Sequence, residues 1–252
     1  MKSRFKHLVV SGCSFTHHTG RVPGHYAWPN LLAEWTGMDV HNLAISGAGN
    51  DHISKSVILY LEKNKLPVED TVVIAMWSGI NRIDWLADSK NSNFANEYSF
   101  KYQYDDYNEL VVGGAWWNAK NPTPLIKTLI EYSKYQSTYS LTLHSWLSMQ
   151  NLSNYLKVNK YIYCYTSFLK YKKHSFPSPH FADFDAELAK LNLSLDKEQW
   201  LPLSDDDHYG DWARKHKYLQ DDYFHPKFPE ATEGWLKEIL IPELIKKNIL
   251  YE

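Results

Sequence analysis

The sequence predicts an α/β domain built on a parallel sheet, and three observations predict it. The first third of the chain alternates apolar strand-like runs with helical segments, the β-α-β-α-β order from which parallel sheets are made. One run, Thr71-Val72-Val73-Ile74-Ala75-Met76-Trp77, is apolar without interruption, as a strand covered on both faces must be. Another, Leu8-Val9-Val10, stops abruptly at Gly12-Cys13-Ser14, which reads as a strand C-terminus opening into a tight turn.

Composition agrees. The 252 residues suit one large α/β domain, and 44% hydrophobic against 22% charged residues supplies a sizeable core. A net charge of −2 argues against a general electrostatic nucleic-acid binder, which would show a basic face. No run approaches the ~18 apolar residues of a membrane helix. The N-terminal apolar stretch is too short for a signal peptide, so a cytoplasmic protein as synthesised is expected, later release aside. Cys13 and Cys164, both in apolar contexts, are expected as free buried thiols. Aromatics reach 15%, with 10 Trp and 18 Tyr, an excess that suits clefts for sugars and other flat ligands. The sequence does not set the oligomeric state.

In chain order, the strand at Leu8–Val10 leads to a polar loop through Pro23-Gly24. Trp28 to Trp35 predicts a helix, with Pro29 in its first turn and Gly37 after it. Asp39–Ala44 predicts a short strand, followed by a loop with Gly47 and Gly49. Asp51 caps a predicted helix to about Lys63, with Ile53, Val57, Ile58 and Leu61 on one face. Pro67 breaks it before the strand Thr71–Trp77. Residues 84–124 form an aromatic-rich insertion or lid with two short strand-like pieces, Tyr98–Tyr104 and Glu109–Val112. A long helical region spans Leu125–Leu156, with a break near Ser137–Ser140. Tyr161–Tyr165 is the fourth strand and Phe184–Leu191 a helix; Trp200–Leu203 is a weak candidate fifth strand. A final helix runs from Glu230 to about Asn248, interrupted at Pro242. With no repeat and no linker, residues 1–252 read as a single domain carrying the insertion.

In a doubly wound sheet the C-terminal strand ends share one edge, where ligands bind. That edge collects Ser14, Gly47 and Asn81, and near the C-terminus comes Asp222-Tyr223-Phe224-His225-Pro226. Acyl transfer needs this set. A serine hydroxyl attacks only when a base takes its proton, and a histidine does so near neutrality when a carboxylate fixes its other nitrogen. Asp222 and His225 are three residues apart and can meet across one turn; Asp221 is less well spaced. The backbone N–H groups of Ser14 and Gly47 and the Asn81 amide supply oxyanion donors, with Gly49 competing with Gly47.

Four blocks then resemble the SGNH hydrolases, the GDSL-type lipase/esterase superfamily: Gly12-Cys13-Ser14-Phe15-Thr16, Asn42-Leu43-Ala44-Ile45-Ser46-Gly47, Gly79-Ile80-Asn81, and Asp222-Tyr223-Phe224-His225-Pro226 with Gly234-Trp235 after it. The resemblance implies a flavodoxin-like three-layer α/β/α sandwich with a central parallel sheet and the insertion after the third predicted strand. It also implies a serine esterase with a Ser14–His225–Asp222 triad, an oxyanion hole of Ser14, Gly47 and Asn81, and no cofactor or metal. The chain departs from the family at Cys13 and Arg82, where the family often has Asp. Neither residue has a role in proton transfer.

Each of these residues also has a plainer reading. Ser14 also reads as a cap, Gly47 as a turn glycine, Asn81 as a loop cap and His225 as a helix-flanking residue. Arg82 pairs either with an anionic substrate group or with a structural carboxylate. Trp77, Trp116, Trp117 and Tyr223 are candidate substrate contacts, Trp116-Trp117 equally a hydrophobic seam. His17 and His18 read as loop residues. Asp205-Asp206-Asp207-His208 reads as a solvated acidic loop or, with Asp221, Asp222 and His225, as a metal centre of a hydrolase. The expected substrate is a small-molecule or glycan ester, preferably an O-acetyl or similar short acyl ester on a carbohydrate. The alternative is a catalytically idle glycan-binding module on the same fold. No nucleic-acid or membrane partner is expected.

Overall fold

The computed structural model of the chain describes residues 1–17, 27–80, 82–88, 100–104, 107–112, 127, 131–132, 135–168, 184–204, 206–220, 225–226 and 229–251. The elements are β1 (Lys2–Ser3), β2 (His7–Ser11), α1 (Trp28–Thr36), β3 (Asp39–Asn42), α2 (Asn50–Asn64), β4 (Thr71–Trp77), β5 (Ile83–Asp88), β6 (Phe100–Tyr104), β7 (Tyr107–Val112), α3 (Thr138–Val158), β8 (Ile162–Ser167), α4 (Phe184–Lys190), α5 (Tyr209–Lys215), β9 (Leu219–Gln220), β10 (His225–Pro226), α6 (Glu230–Trp235), α7 (Ile241–Lys246) and β11 (Leu250–Tyr251).

Four strands form a parallel sheet in the order β3-β2-β4-β8, with Val9 opposite both His41 and Val73, and Ile74 opposite Cys164. This is the flavodoxin-like order, in which the first long strand lies between the second and third. Leu8, Val9, Val10 and every residue of β4 are buried, because helices cover both faces. The covering helices pair as α1 with α6 and α2 with α3. Ile53, Val57 and Leu61 of α2 are buried as their spacing predicts. The fifth strand expected at Trp200–Leu203 is reduced to one parallel bridge, Tyr165 to Trp200, with the Leu201 N–H donating to the Tyr165 carbonyl at 2.8 Å. Pro202 follows and has no N–H with which to extend the ladder.

Local signals set two of the helix ends. Gly37 takes the left-handed conformation at φ 75° and donates its N–H to the Ala33 carbonyl, closing α1. The expected break near residue 137 is the start of α3, where the Ser137 hydroxyl accepts from the Ser140 N–H at 3.0 Å. The final helix departs from expectation. It is not interrupted at Pro242: a π-helical stretch, Leu236–Leu240, joins α6 to α7 and carries the chain past the proline. A wider turn ahead of a proline relieves the crowding between its ring and the carbonyl four residues back.

The predicted pieces of the insertion appear as β6 and β7. They join β5, which the sequence leaves as loop, in an antiparallel sheet of order β5-β7-β6. The β1–β11 ladder, α5 and the β9–β10 ladder are also absent from the sequence reading. Among the described residues no helix is long and apolar enough to cross a membrane.

Candidate active site

The turn after β2 is built for close packing. The Cys13 carbonyl accepts the N–H groups of Thr16 at 2.9 Å and His17 at 2.8 Å, so Ser14 and Phe15 form the crest. Gly12 is required: a Cβ there would stand 2.2 Å from the Thr16 hydroxyl oxygen. That approach lets Thr16 fold back over the strand and donate its hydroxyl to Met76 Sδ at 3.3 Å. Cys13 is fully buried, as expected of a small residue beneath the turn, and Ser14 is 8% exposed. Phe15 anchors the crest against Phe168, centroids 4.7 Å apart, and edge-on to Tyr209. Burial holds the Tyr209 phenol well above its ordinary range.

The second block is tied to the first. Asn42 Nδ2 donates to the Thr16 carbonyl at 3.1 Å while its Oδ1 accepts the Ala44 N–H, and the Ile45 N–H donates to the Gly12 carbonyl. Gly47 follows at φ 87°, a backbone region open to glycine and costly for other residues. One peptide unit on, the Ala48 carbonyl accepts from Arg82 Nη1 at 3.2 Å and the Gly49 N–H donates to Asp84 Oδ1 at 2.7 Å. The Gly49 N–H, the competing donor considered, is thereby engaged.

The third block is held by Asn50, the first residue of α2, which is 3% exposed. Its Oδ1 accepts the Ser78 N–H at 2.8 Å, and its Nδ2 donates to the Ser78 carbonyl and the Ser145 hydroxyl, each at 3.1 Å. Beyond Ser78, the Arg82 N–H donates to the Gly79 carbonyl at 3.3 Å.

The predicted site residues fare differently. Ser14 and Gly47 lie on consecutive loops at the C-terminal edge of the sheet, laced together by Asn42. Arg82 is placed beside the Gly47 loop by its side chain. It grips the Ala48 carbonyl and sets its guanidinium 5.4 Å from the Phe168 ring. Trp77 corrects the expectation of a substrate contact: it ends the central strand with no exposed surface, its ring edge-on to Tyr165. Asn81, Trp116, Trp117, Asp221, Asp222 and Tyr223 lie outside the described residues, as do His18 and Asp205.

Of His225 the backbone is described: it pairs with Gln220 in the β9–β10 ladder, and β10 packs on α5. The first residue of α5 is Tyr209, whose ring meets Phe15 of the Ser14 turn. The helix after His225 is fixed by the same tyrosine. Tyr209 stacks on Trp235 at 4.8 Å and shares a 2.7 Å hydrogen bond with the Thr232 hydroxyl, while the Trp235 indole donates to the Asp207 carbonyl. Gly234 lies against Trp212, where a Cβ would stand 2.4 Å from the ring.

The acidic run before α5 is engaged locally. Asp207 accepts from the Ser204 N–H and hydroxyl, and His208 Nδ1 lies 2.9 Å from the Ser167 hydroxyl. Among the described residues, no group of three His, Cys, Asp or Glu is arranged to hold a metal. Asp84 and Asn50 are the site-edge residues that sequence reasoning missed. Each acts on a residue far away in the chain, and no local motif marks such pairings.

Neither a family model nor a curated protein matches the chain. Solved structures do. TesA superposes with a TM-score of 0.50 at 14% identity, covering 97% of this chain and 99% of its own. The psychrotrophic esterase EstA from Pseudoalteromonas sp., in a structure inhibited by monoethylphosphonate, gives 0.50 at 13% identity, covering 96% and 97%. At these identities the likeness is one of fold, and the fold is the one that the SGNH blocks imply.

Proposed function

We propose that this chain is a serine ester hydrolase with Ser14 as nucleophile. The observation that carries the reading is the Ser14 turn. It is a tight crest at the C-terminal edge of a parallel sheet, made possible by Gly12 and laced to the Gly47 loop by Asn42. Support comes from a fold shared over nearly the whole chain with an esterase whose structure is phosphonate-inhibited. In the proposed reaction His225, oriented by Asp222, takes the Ser14 hydroxyl proton as Oγ attacks the ester carbonyl. The Ser14 and Gly47 N–H groups and the Asn81 amide stabilise the oxyanion. Collapse expels the alcohol, protonated by His225, and water activated by the same histidine releases the acid.

The preferred substrate is a short acyl ester, such as O-acetyl, on a carbohydrate. The support is the insertion, which enters at the site edge directly after Arg82 and offers Tyr, Trp and Asn rather than an aliphatic groove. The idle glycan binder is the alternative. A panel of acetyl, butyryl and longer-chain esters with acetylated glycans, run on the wild type and Ser14→Ala, separates the two. The esterase reading expects turnover of short esters that Ser14→Ala abolishes. Glycan binding without turnover in both would favour the binder.

A further inference from the structure

Resting on that esterase reading, we propose that Arg82 and Asp84 are positioning residues for the oxyanion donor Gly47: together they clamp the peptide unit between Ala48 and Gly49. The two side chains take opposite ends of one peptide dipole. The guanidinium donates to its carbonyl at 3.2 Å and the carboxylate accepts its N–H at 2.7 Å. Each charge meets the end of the dipole of opposite sign, so the field of the pair favours one orientation of that plane. Gly47 is the residue immediately before Ala48, and its left-handed φ of 87° leaves it wide backbone freedom unless its neighbours are held.

Asp84 has a second task that anchors the first. Its Oδ2 accepts the His52 N–H at 2.8 Å, in the first turn of α2. The helix's own N-cap is Gly49, which has no side chain to offer, so the cap arrives from a strand 35 positions away. Glycine at 49 is what admits it: a Cβ there would stand 2.6 Å from Asp84 Oδ2 and 3.0 Å from the Arg82 carbonyl oxygen. His52 in turn places its Nε2 3.2 Å from the Leu43 carbonyl, within the same block as Gly47.

A local Ser or Asp cap would serve the helix alone. A cap from β5 joins the oxyanion loop to the first strand of the insertion, immediately after Asn81. The Gly47 donor is thus referred to the segment that follows Asn81 in the chain.

The test uses the full chain, with kcat and KM measured on 4-nitrophenyl acetate, the rate of inactivation by an alkyl fluorophosphonate, and circular dichroism to confirm folding. Asp84→Ala should lower kcat by about tenfold or more, a fraction of the loss on deleting a direct oxyanion donor, with KM little changed. Inactivation should slow in parallel, because phosphonylation draws on the same donors. Asp84→Asn, which keeps one acceptor oxygen, should fall between, and Arg82→Ala should also lower kcat. Asp51→Ala, an exposed carboxylate of the same helix turn paired with Lys55, should behave as wild type.

Should Asp84→Ala fail to fold, Asp84→Asn and Arg82→Ala carry the test. Folded clamp variants with wild-type kcat would overturn this role alone. So would an equal loss in Asp51→Ala, which would reduce the effect to the helix field. A wild type that neither hydrolyses nor labels would overturn the esterase reading and this role with it.

Discussion

Asn50 and Ser78 hydrogen-bond reciprocally: the Asn50 side-chain oxygen accepts the Ser78 N–H at 2.8 Å, and its nitrogen donates to the Ser78 carbonyl at 3.1 Å. One buried side chain thus satisfies both main-chain groups of the residue that leaves the central strand. It holds the loop leading to Asn81 at a fixed offset from the loop that carries Gly47. Removing it takes two buried hydrogen bonds from the Ser78 main chain.

Asn50→Ala should therefore destabilise the fold by about 2–3 kcal/mol, since the loss of two buried hydrogen bonds outweighs the small gain from a better helix former. Urea unfolding, read as a shift in midpoint at constant slope, checks this. Asn50→Asp keeps an acceptor for the Ser78 N–H but sets a buried carboxylate oxygen against its carbonyl, and should cost at least as much.

Gly234→Ala should cost about 1–3 kcal/mol, because a Cβ there stands 2.4 Å from the Trp212 ring. Trp212→Phe in the same chain should relieve most of the added cost. A double-mutant cycle of melting temperatures tests the coupling. Additive effects would place the strain elsewhere.

Stability should also fall with pH through a histidine on the far edge of the sheet. His41 Nδ1 lies 2.8 Å from the Tyr60 hydroxyl and its Nε2 lies 3.2 Å from His7 Nδ1. Burial first, and His7 second, lower its pKa below the ordinary 6.5, against the opposing pull of Asp39. The folded chain then binds fewer protons than the unfolded chain just below that value. The contribution is therefore full above about pH 6.5 and is lost as pH falls through the lowered folded value. Melting temperature measured from about pH 7 to about pH 5 should decline, and His41→Phe should flatten the slope.

Both thiols should be silent in the native chain. Cys13 and Cys164 are fully buried, and burial pushes the Cys164 thiol up to about 12, far from the thiolate that reacts. An aromatic disulfide reagent should titrate neither until denaturant is added. Rapid native labelling of Cys13 would contradict its place beneath the turn.

The parallel sheet was legible because its strands carry their burial in their composition. Val9 or Ile74 has nowhere to go but a covered sheet, and a strand that ends in small residues marks the ligand edge. Ser14, Gly47 and the Cys13 packing followed from that logic. What the sequence could not give are pairings between distant segments. Asp51 is the local signal for a cap on α2, yet the cap is Asp84, because only the folded sheet brings β5 to Gly49. Trp77 looked like a cleft aromatic by type, but its position as the last buried rung of β4 decides its role. Pro242 signals a break by its chemistry, and the π-helical stretch ahead of it, invisible in composition, lets the helix continue.

The central claim is that Ser14 is an activated nucleophile, and covalent labelling tests it most directly. Wild-type chain treated with an alkyl fluorophosphonate, digested and mapped by mass spectrometry, should carry one adduct, on the peptide containing Ser14. Ser14→Ala should carry none, and His225→Ala should label far more slowly at neutral pH. No adduct on the folded wild type, or an adduct on a residue other than Ser14, would contradict the account.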